Sequence, residues 1–358
     1  MGLFPKDRDL TRPPERVTLA VDASFFRERV DGFQMRLDQF LAAHLPWRSR
    51  SSIQDLVHDG YVLVDAATPD HPRGTGEPRT ERRPGRRLRH GSTVVVVIPD
   101  ENRLAGAAGA AGELRILYED EAVVAVDKPP LLAVHPSGRH LTDTLIQRVH
   151  AHYRDEIAAG RLAPRLCHRL DRETSGIVLV GKRPGAHAEL VRQFEEREVD
   201  KEYLAIVQPP VPGEQGRTGR IDYPLAPART SAVRVKMTVA ADGLAARTDW
   251  RIVERYADCS LLACRLHTGR QHQIRVHLAA IGHPVVGDKL YGPDELLFQK
   301  AADGRLERDD LERLELPRHA LHSHKLAFDT PARGRRVALE CPLAEDLRAY
   351  LAARVRLG

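Results

Sequence analysis

The stretch CHRLDRETSGIVLVGK, residues 167–182, joins a loop of charged residues to an apolar run. The run IVLV is rich in β-branched residues, which predicts a buried strand. Asp171 precedes this strand and lies two residues from Arg169, so both side chains project to one side of an extended loop. A neighbouring guanidinium lowers the pKa of a carboxyl group and keeps it ionised. Asp171 is therefore a candidate nucleophile or general base, with a surface ion pair as the alternative.

Short strand-like runs are frequent on both sides of this stretch. Examples are KEYLAIV at 201–207, TDWRIVERY at 248–256 and SLLACRL at 260–266. Helical patterns occur between some of them, but strands and helices do not alternate regularly. This order predicts an α+β fold with a mixed, largely antiparallel sheet. The sequence contains neither a dinucleotide-binding nor a P-loop glycine motif.

A second cluster of polar residues lies in LHTGRQHQIRVHLAAIGHPVVGD, residues 266–288. Thr268 and Gln271 fit a capping box, and Gly282 marks the end of the predicted helix. The glycine and arginine at the helix start are typical of a phosphate site. The histidines are five or six residues apart, so they do not share a helix face and no metal site is expected. A histidine-dependent metalloenzyme acting on nucleic acid is the alternative.

The N-terminal region predicts a small basic module. RLDQFLAAHLPWRSRSSIQDLVHDGYVLVDA, residues 36–66, predicts two helices and a strand. A segment with seven arginines follows at 73–89, and it is predicted to be a mobile loop that attracts RNA phosphates or is merely solvated. Residues 35–99 resemble the small RNA-binding domain shared by a small-subunit ribosomal protein and tyrosyl-tRNA synthetase. The resemblance implies phosphate contacts, rather than ordinary surface charges, for Arg36, Arg48 and Arg50.

Composition and spacing give the predicted domain organisation. The chain has 358 residues, a formal charge of +5 and four cysteines without paired spacing. No run is long enough to cross a bilayer, and the N-terminus lacks a secretory pattern, so we expect a cytoplasmic protein. The predicted parts are an N-terminal extension (1–34), the small RNA-binding domain (35–99), a Gly/Ala-rich linker (100–113) and a catalytic domain (114–358).

Several motifs resemble the RluA-type pseudouridine synthases in order and spacing. The resemblance covers nearly all of residues 114–345. Glu173 replaces the usual second aspartate, and Gln271 stands where threonine is common; both departures put fine positioning in doubt. The motifs are HRLDRETSGIVLVGK, KEYLAIV, HTGRQHQIRVHLAAIGHPVVGDKLYG and HALHSHKLAFDTP.

The resemblance implies a role for each matched residue. Asp171 would start detachment of uracil from its ribose, and Arg275 would pair with it. Tyr203 would stack on the base and help to remove the proton from carbon 5. Arg169 would contact the RNA backbone when the target nucleotide is flipped out. No cofactor is implied, and the chain is expected to act as a monomer on RNA, with large-subunit ribosomal RNA favoured over tRNA. An inactive RNA-binding protein is a further alternative.

Overall fold

The computed structural model describes residues 16–26, 28–45, 50–97, 113–135 and 143–357. Contacts divide the chain into two compact units. The small unit comprises Met1–Gly112 with His135–Ala151, and the large unit comprises Glu113–Val134 with His152–Gly358. Nearly all of the predicted linker lies outside the described residues. No helix in the described part of the chain is long and apolar enough to cross a membrane.

The small unit contains short strands and helices, and one apolar core is formed by residues between Val17 and Val96. Strand order in its antiparallel sheet is β1-β6-β3-β4, and β2 pairs with β5. The elements are β1 (Arg16–Ala20), β2 (Gln34–Arg36), α1 (Leu37–His44), α2 (Arg50–His58), β3 (Val62–Asp65), β4 (Arg79–Thr80), β5 (Arg87–Arg89), β6 (Thr93–Val97) and α3 (Leu145–His152).

Two features of the small unit differ from the sequence-based expectation. Strand β1 lies within the predicted extension, 1–34, yet it pairs along its whole length with β6. It belongs to the sheet because Val17 and Leu19 alternate with exposed residues and enter the core. The small unit also includes residues 135–151, which were predicted to be part of the catalytic domain.

The arginine-rich segment, 73–89, was predicted to be a loop, and the structure adds two short strands to it. It contains β4 and β5, and Leu88 is buried between exposed arginines. The Asp65 carboxylate accepts hydrogen bonds from the backbone N–H groups of Thr75 (2.8 Å) and Gly76 (2.8 Å). These bonds hold the pKa of Asp65 below its usual value and fix the first turn of the segment.

The large unit is built on one extended sheet, which confirms the predicted α+β class with a mixed, largely antiparallel sheet. Strand order is β12-β15-β16-β11-β17-β10-β8-β7, and β10 with β17 is the parallel pair along this path. The strands are β7 (Ile116–Glu119), β8 (Val123–Lys128), β9 (Arg165–Leu166), β10 (Ser175–Gly181), β11 (Asp200–Val207), β12 (Thr218–Ile221), β13 (Leu225–Pro227), β14 (Met237–Val239), β15 (Thr248–Tyr256), β16 (Ser260–Leu266), β17 (Leu321–Asp329), β18 (Arg336–Glu340) and β19 (Arg356–Leu357). The helices are α4 (Arg154–Ala158), α5 (Pro184–Glu195), α6 (Gln273–Ala280), α7 (Leu296–Ala302), α8 (Arg308–Leu314) and α9 (Glu345–Ala352).

Strand β10 is the predicted buried strand, and it lies inside the sheet between β8 and β17. All seven of its residues are buried, as its unbroken apolar run predicts. Gly176 has a φ of 104°, and a Cβ at this position would lie 2.2 Å from the carbonyl oxygen of Ser323. Only glycine fits there, and the close approach fixes the chain directly after the loop that carries Asp171.

Candidate active site

The loop before β10 carries Asp171 and is attached to the large unit by a buried lysine. Lys128, at the end of β8, donates hydrogen bonds to the carbonyl oxygens of Pro129 (2.8 Å), Leu132 (2.9 Å) and Arg172 (3.1 Å). Burial lowers the pKa of Lys128 to about 7, with a further contribution from Arg318. The lysine therefore ties the loop to the end of the neighbouring strand.

Asp171 forms an ion pair with Arg275 from helix α6. Its Oδ2 atom lies 2.9 Å from Nη1 of Arg275, and 23% of its side chain is exposed. Burial would raise the pKa of this carboxyl group, but the positive charge around it lowers the pKa to about 2. Asp171 is therefore ionised at neutral pH and still accessible from one side.

The partner predicted from the local sequence, Arg169, is exposed instead. It forms no ion pair or hydrogen bond through its side chain with any residue that the structure describes. The chain turns after Asp171, where the N–H of Thr174 donates to the Asp171 carbonyl oxygen at 3.1 Å. Arg169 and Asp171 form no ion pair in the described structure, and Asp171 pairs instead with an arginine 104 residues away.

Arg275 is held by a second, fully buried carboxylate that sequence reasoning missed. Its Nε and Nη2 atoms donate to Asp288 at 2.6 and 2.8 Å, leaving Nη1 for Asp171. Oδ1 of Asp288 also accepts from the backbone N–H groups of Leu290 (2.9 Å) and Tyr291 (3.0 Å). Asp288 is 0% exposed, and despite burial the pKa of Asp288 is well below its usual value because of Arg275. Its position at the end of PVVGD, after an apolar run, was the available signal.

His272 lies on the other side of the Asp171 carboxylate. Its Nε2 atom is 3.9 Å from Oδ1 of Asp171, and Nδ1 is 2.8 Å from the hydroxyl of Tyr291. Burial lowers the pKa of His272 to about 4, so the ring is neutral at neutral pH. Arg275 is then the charged partner of Asp171, and the guanidinium also lies 5.0 Å from the Tyr291 ring centre.

The start of α6 differs from the predicted capping box. The helix begins at Gln273, after His272 in a left-handed conformation with a φ of 57°. The hydroxyl of Thr268 donates to Oε1 of Gln273 at 2.7 Å, and that oxygen also accepts from the N–H of Arg270 at 3.0 Å. Gln271 is exposed. The left-handed residue takes the N-cap position, four residues after the predicted Thr268, and this places Arg275 in the first turn of the helix.

Tyr203 is on β11, between β16 and β17, next to a register irregularity at Glu202. Its side chain is buried, and burial raises the pKa of the phenol to about 12, against the effect of a hydrogen bond with Ser323. The Asp171 charge raises this pKa further, so the two groups interact electrostatically. The phenol is protonated at neutral pH.

Glu173, the departure from the family pattern, makes structural contacts beside the loop. Its Oε1 accepts from Lys289 Nζ at 2.8 Å, and Oε2 accepts from the backbone N–H of His319 at 3.0 Å. The His319 ring contacts the hydroxyl of Thr174 at 2.8 Å. The longer glutamate therefore anchors the loop to the segment before β17.

The remaining predicted contact residues fall in different environments. Arg36 donates two hydrogen bonds, of 3.0 and 2.8 Å, to the buried carboxylate of Asp38 while 42% of its side chain stays exposed. Arg48 lies outside the described residues. Arg50 begins α2, and its side chain is not among those described. In the described part of the chain, no three histidine, cysteine or acidic side chains are grouped as metal ligands.

Comparison with known proteins shows the family of the chain. Residues 122–280 match the family model for RNA pseudouridylate synthase. An uncharacterized RNA pseudouridine synthase from Aquifex aeolicus is 39% identical over 75% of this chain and 82% of its own length. Ribosomal large subunit pseudouridine synthase D from Nitrosomonas europaea is 36% identical over 89% of this chain and 84% of its own length.

The fold has a solved relative as well. Human RNA pseudouridylate synthase domain containing 1 superposes with a TM-score of 0.52 and 26% identity, covering 68% of this chain and 89% of the human chain. The extent of these matches, together with the motifs that surround Asp171, Tyr203 and Arg275, leads to one assignment. The chain belongs to the RluA-type RNA pseudouridine synthases, isomerases that act on RNA.

Proposed function

We propose that this enzyme converts specific uridines of large-subunit ribosomal RNA to pseudouridine, with Asp171 as its catalytic carboxylate and without a cofactor. The observation that carries the proposal is the chain of charges Asp171, Arg275 and Asp288. The guanidinium of Arg275 lies between the two carboxylates and keeps that of Asp171 ionised, although Asp171 is partly exposed. A ribosomal substrate would place the enzyme in the cytoplasm.

The reaction exchanges one bond of the uracil ring for another. The bond between ribose C1′ and N1 breaks, a bond between C1′ and C5 forms, C5 loses a proton and N1 gains one. The atoms therefore balance within one nucleotide, and no oxidant, reductant or nucleoside triphosphate is consumed. Asp171 begins this sequence either by attacking the sugar or by assisting elimination, and both routes require the ionised carboxylate that Arg275 stabilises.

The target nucleotide must leave its stack before the carboxylate can reach the sugar. Flipping costs a few kcal/mol, which contacts with the RNA backbone and a stacking surface offset. Tyr203 supplies an aromatic ring at the site, and exposed Arg169 lies two residues from Asp171. We assign stacking on the base to Tyr203 and a backbone contact during flipping to Arg169.

We assign to the hydroxyl of Tyr203 a part in removing the proton from C5: because the phenol is protonated, its oxygen accepts this proton as its own proton passes on toward N1, which gains one. We expect Tyr203→Phe to bind RNA normally, because the ring is retained, but to form pseudouridine more slowly. The readout is the single-turnover rate on RNA carrying 5-deuterouridine, for which the variant should show a primary isotope effect larger than that of the wild type. Equal rates and equal isotope effects in the two proteins would remove the hydroxyl from this step.

Exposed arginines of the small unit are proposed to bind RNA phosphates. Arg73, Arg87 and Arg89 form no ion pair with any described residue, whereas Arg79, Arg83 and Arg86 lie within 4 Å of glutamates. Changing the first three to glutamine should weaken RNA binding and reduce the slope of log K against log salt by up to about 0.9 per lost phosphate contact. The matched triple variant of the paired arginines should have a smaller effect. Equal slopes in both variants and the wild type would contradict the assignment.

The ribosomal substrate is supported by the name of the relative from Nitrosomonas europaea and by the resemblance of the N-terminal region to an RNA-binding domain. The test is to map pseudouridines in ribosomal and transfer RNA from cells with and without the gene. Loss of sites in large-subunit ribosomal RNA alone is the expected result. Loss confined to transfer RNA would favour the alternative substrate.

A further inference from the structure

A basic groove in the large unit lies at the N-terminal end of strand β11. It encloses about 310 Å³, and four of its lining side chains are cationic: Arg197, Lys201, Arg247 and Arg265. Two lining carboxylates, Asp200 and Asp222, oppose them. The groove therefore carries an excess of positive charge, and the ion pairs show which cations are neutralised.

Two of the four cations, Arg265 on β16 and Arg247 just before β15, form ion pairs. Arg265 lies 2.6 Å from Asp200, which also binds Arg336 at 2.6 Å. Arg247 lies 3.2 Å from Asp249. Both arginines therefore have acidic partners.

Lys201 and Arg197 are different, because neither forms an ion pair or a side-chain hydrogen bond with any residue that the structure describes. Lys201 is half-buried, and its ammonium group lies 5.6 Å from the centre of the Phe194 ring. Burial and the charge of Arg197 both lower the pKa of Lys201, so the two cations repel each other. The charge of Asp222, the remaining lining carboxylate, acts on His277.

The backbone holds Arg197 in this position at some cost. Arg197 has a φ of 64°, a left-handed conformation that side-chain-bearing residues seldom adopt. It is the second residue after helix α5 and precedes β11, and its exposed side chain lines the groove. Two unneutralised cations in a concave site form a surface that an anion would stabilise.

We propose that Lys201 and Arg197 bind one backbone phosphate of the RNA, at the target nucleotide or next to it. Lys201 and Tyr203 are two residues apart on β11, so their side chains share one face of the sheet at a spacing of about 7 Å. The placement relative to the base rests on the stacking role of Tyr203 in the proposed function. The phosphate contact itself depends only on RNA binding.

The test is RNA binding by Lys201→Met over a range of salt concentrations. The probe is an in vitro transcribed fragment of large-subunit ribosomal RNA that the wild-type enzyme binds. We expect Kd to rise roughly tenfold at low salt, as for loss of one charged hydrogen bond, and the salt slope to fall by about 0.7 to 0.9. Lys201→Arg should keep most of the wild-type affinity and most of the wild-type salt slope. The control is Lys325→Met, which removes an exposed lysine 3.2 Å from Glu340 and should leave both values unchanged.

A structural role for Lys201 predicts another result. If its contact with Phe194 stabilised the fold, Lys201→Met would lower Tm without changing the salt slope, and this outcome would overturn the proposal. The proposal predicts a Tm no lower than that of the wild type, because the variant removes a half-buried, unpaired charge. Failure of the proposed function is measured separately: product formation by Asp171→Asn would contradict the mechanism and would leave the binding result intact.

An uncharged linkage placed in the RNA backbone can identify the phosphate that Lys201 contacts. Methylphosphonate substitution, one linkage at a time, should reveal one position where removal of the charge weakens binding of the wild type but not of Lys201→Met. Equal losses in both proteins at every position would contradict a direct contact with Lys201.

Discussion

Arg275→Met is expected to remain folded but to lose about 3 to 5 kcal/mol of unfolding free energy. Arg275 is the partner of Asp288, whose carboxylate is completely buried. Methionine fills much of the space of the guanidinium stem but leaves that carboxylate without its cation. Urea unfolding measures the loss. Arg229→Met is the control, because Arg229 pairs with Asp242 on the surface and should contribute less than about 1 kcal/mol.

The same substitution should reduce the rate of pseudouridine formation by roughly 100-fold or more. In the wild type the pKa of Asp171 is lowered from its ordinary value of 3.8 to about 2. The ionised carboxylate therefore stabilises the fold fully above pH 3.8, and this contribution is lost as the pH falls toward 2. Without Arg275, Asp171 loses one of the positive charges that lower its pKa, so we expect this pKa to rise. We therefore expect the residual rate of the variant to increase with pH over a range in which Asp171 of the wild type is already ionised and the wild-type rate does not depend on it. A variant with the pH profile of the wild type would contradict this electrostatic role.

A double variant separates stability from catalysis. Asp288→Asn added to Arg275→Met removes the buried charge, while the asparagine oxygen can still accept from the N–H groups of Leu290 and Tyr291. It should recover much of the lost stability and none of the lost activity. Recovery of both together would mean that Arg275 acts only through the fold.

The sequence predicted the parts of this site that lie in continuous motifs. Asp171, Tyr203 and Arg275 were identified from three separate stretches, and strand β10 was identified from its apolar run. Asp288 was not, because its position after an apolar run is a weak signal and its contact with a distant guanidinium through two oxygens cannot be read from local spacing. Its role depends on how the turn after PVVGD meets helix α6.

The errors came from geometry that sequence spacing does not determine. Arg169 was expected to pair with Asp171, but its side chain is exposed and Asp171 pairs with Arg275 from helix α6 instead. Strand β1 was assigned to an extension because the resemblance to the small RNA-binding domain begins at residue 35, whereas β1 pairs with the distant β6. The arginine-rich segment lacked apolar periodicity, but one buried leucine and the Asp65 carboxylate hold it in place.

Asp171→Asn is expected to reduce pseudouridine formation to the level of RNA without enzyme. The substitution removes the charge with little change in shape, and Arg275 keeps both hydrogen bonds to Asp288. The variant should therefore fold and bind RNA nearly as the wild type does. Asp242→Asn, at an exposed carboxylate paired with Arg229, is the matched control and should retain full activity. Loss of folding in Asp171→Asn would indicate a structural ion pair instead.

The most direct measurement is the amount of pseudouridine formed in one turnover, determined by mass spectrometry with enzyme in excess over RNA and with equal RNA occupancy in each sample. Full conversion of the target uridine by the wild type and by Asp242→Asn, with none by Asp171→Asn, is the result predicted here. Conversion by Asp171→Asn at a rate comparable to that of the wild type would contradict the assignment of the catalytic carboxylate.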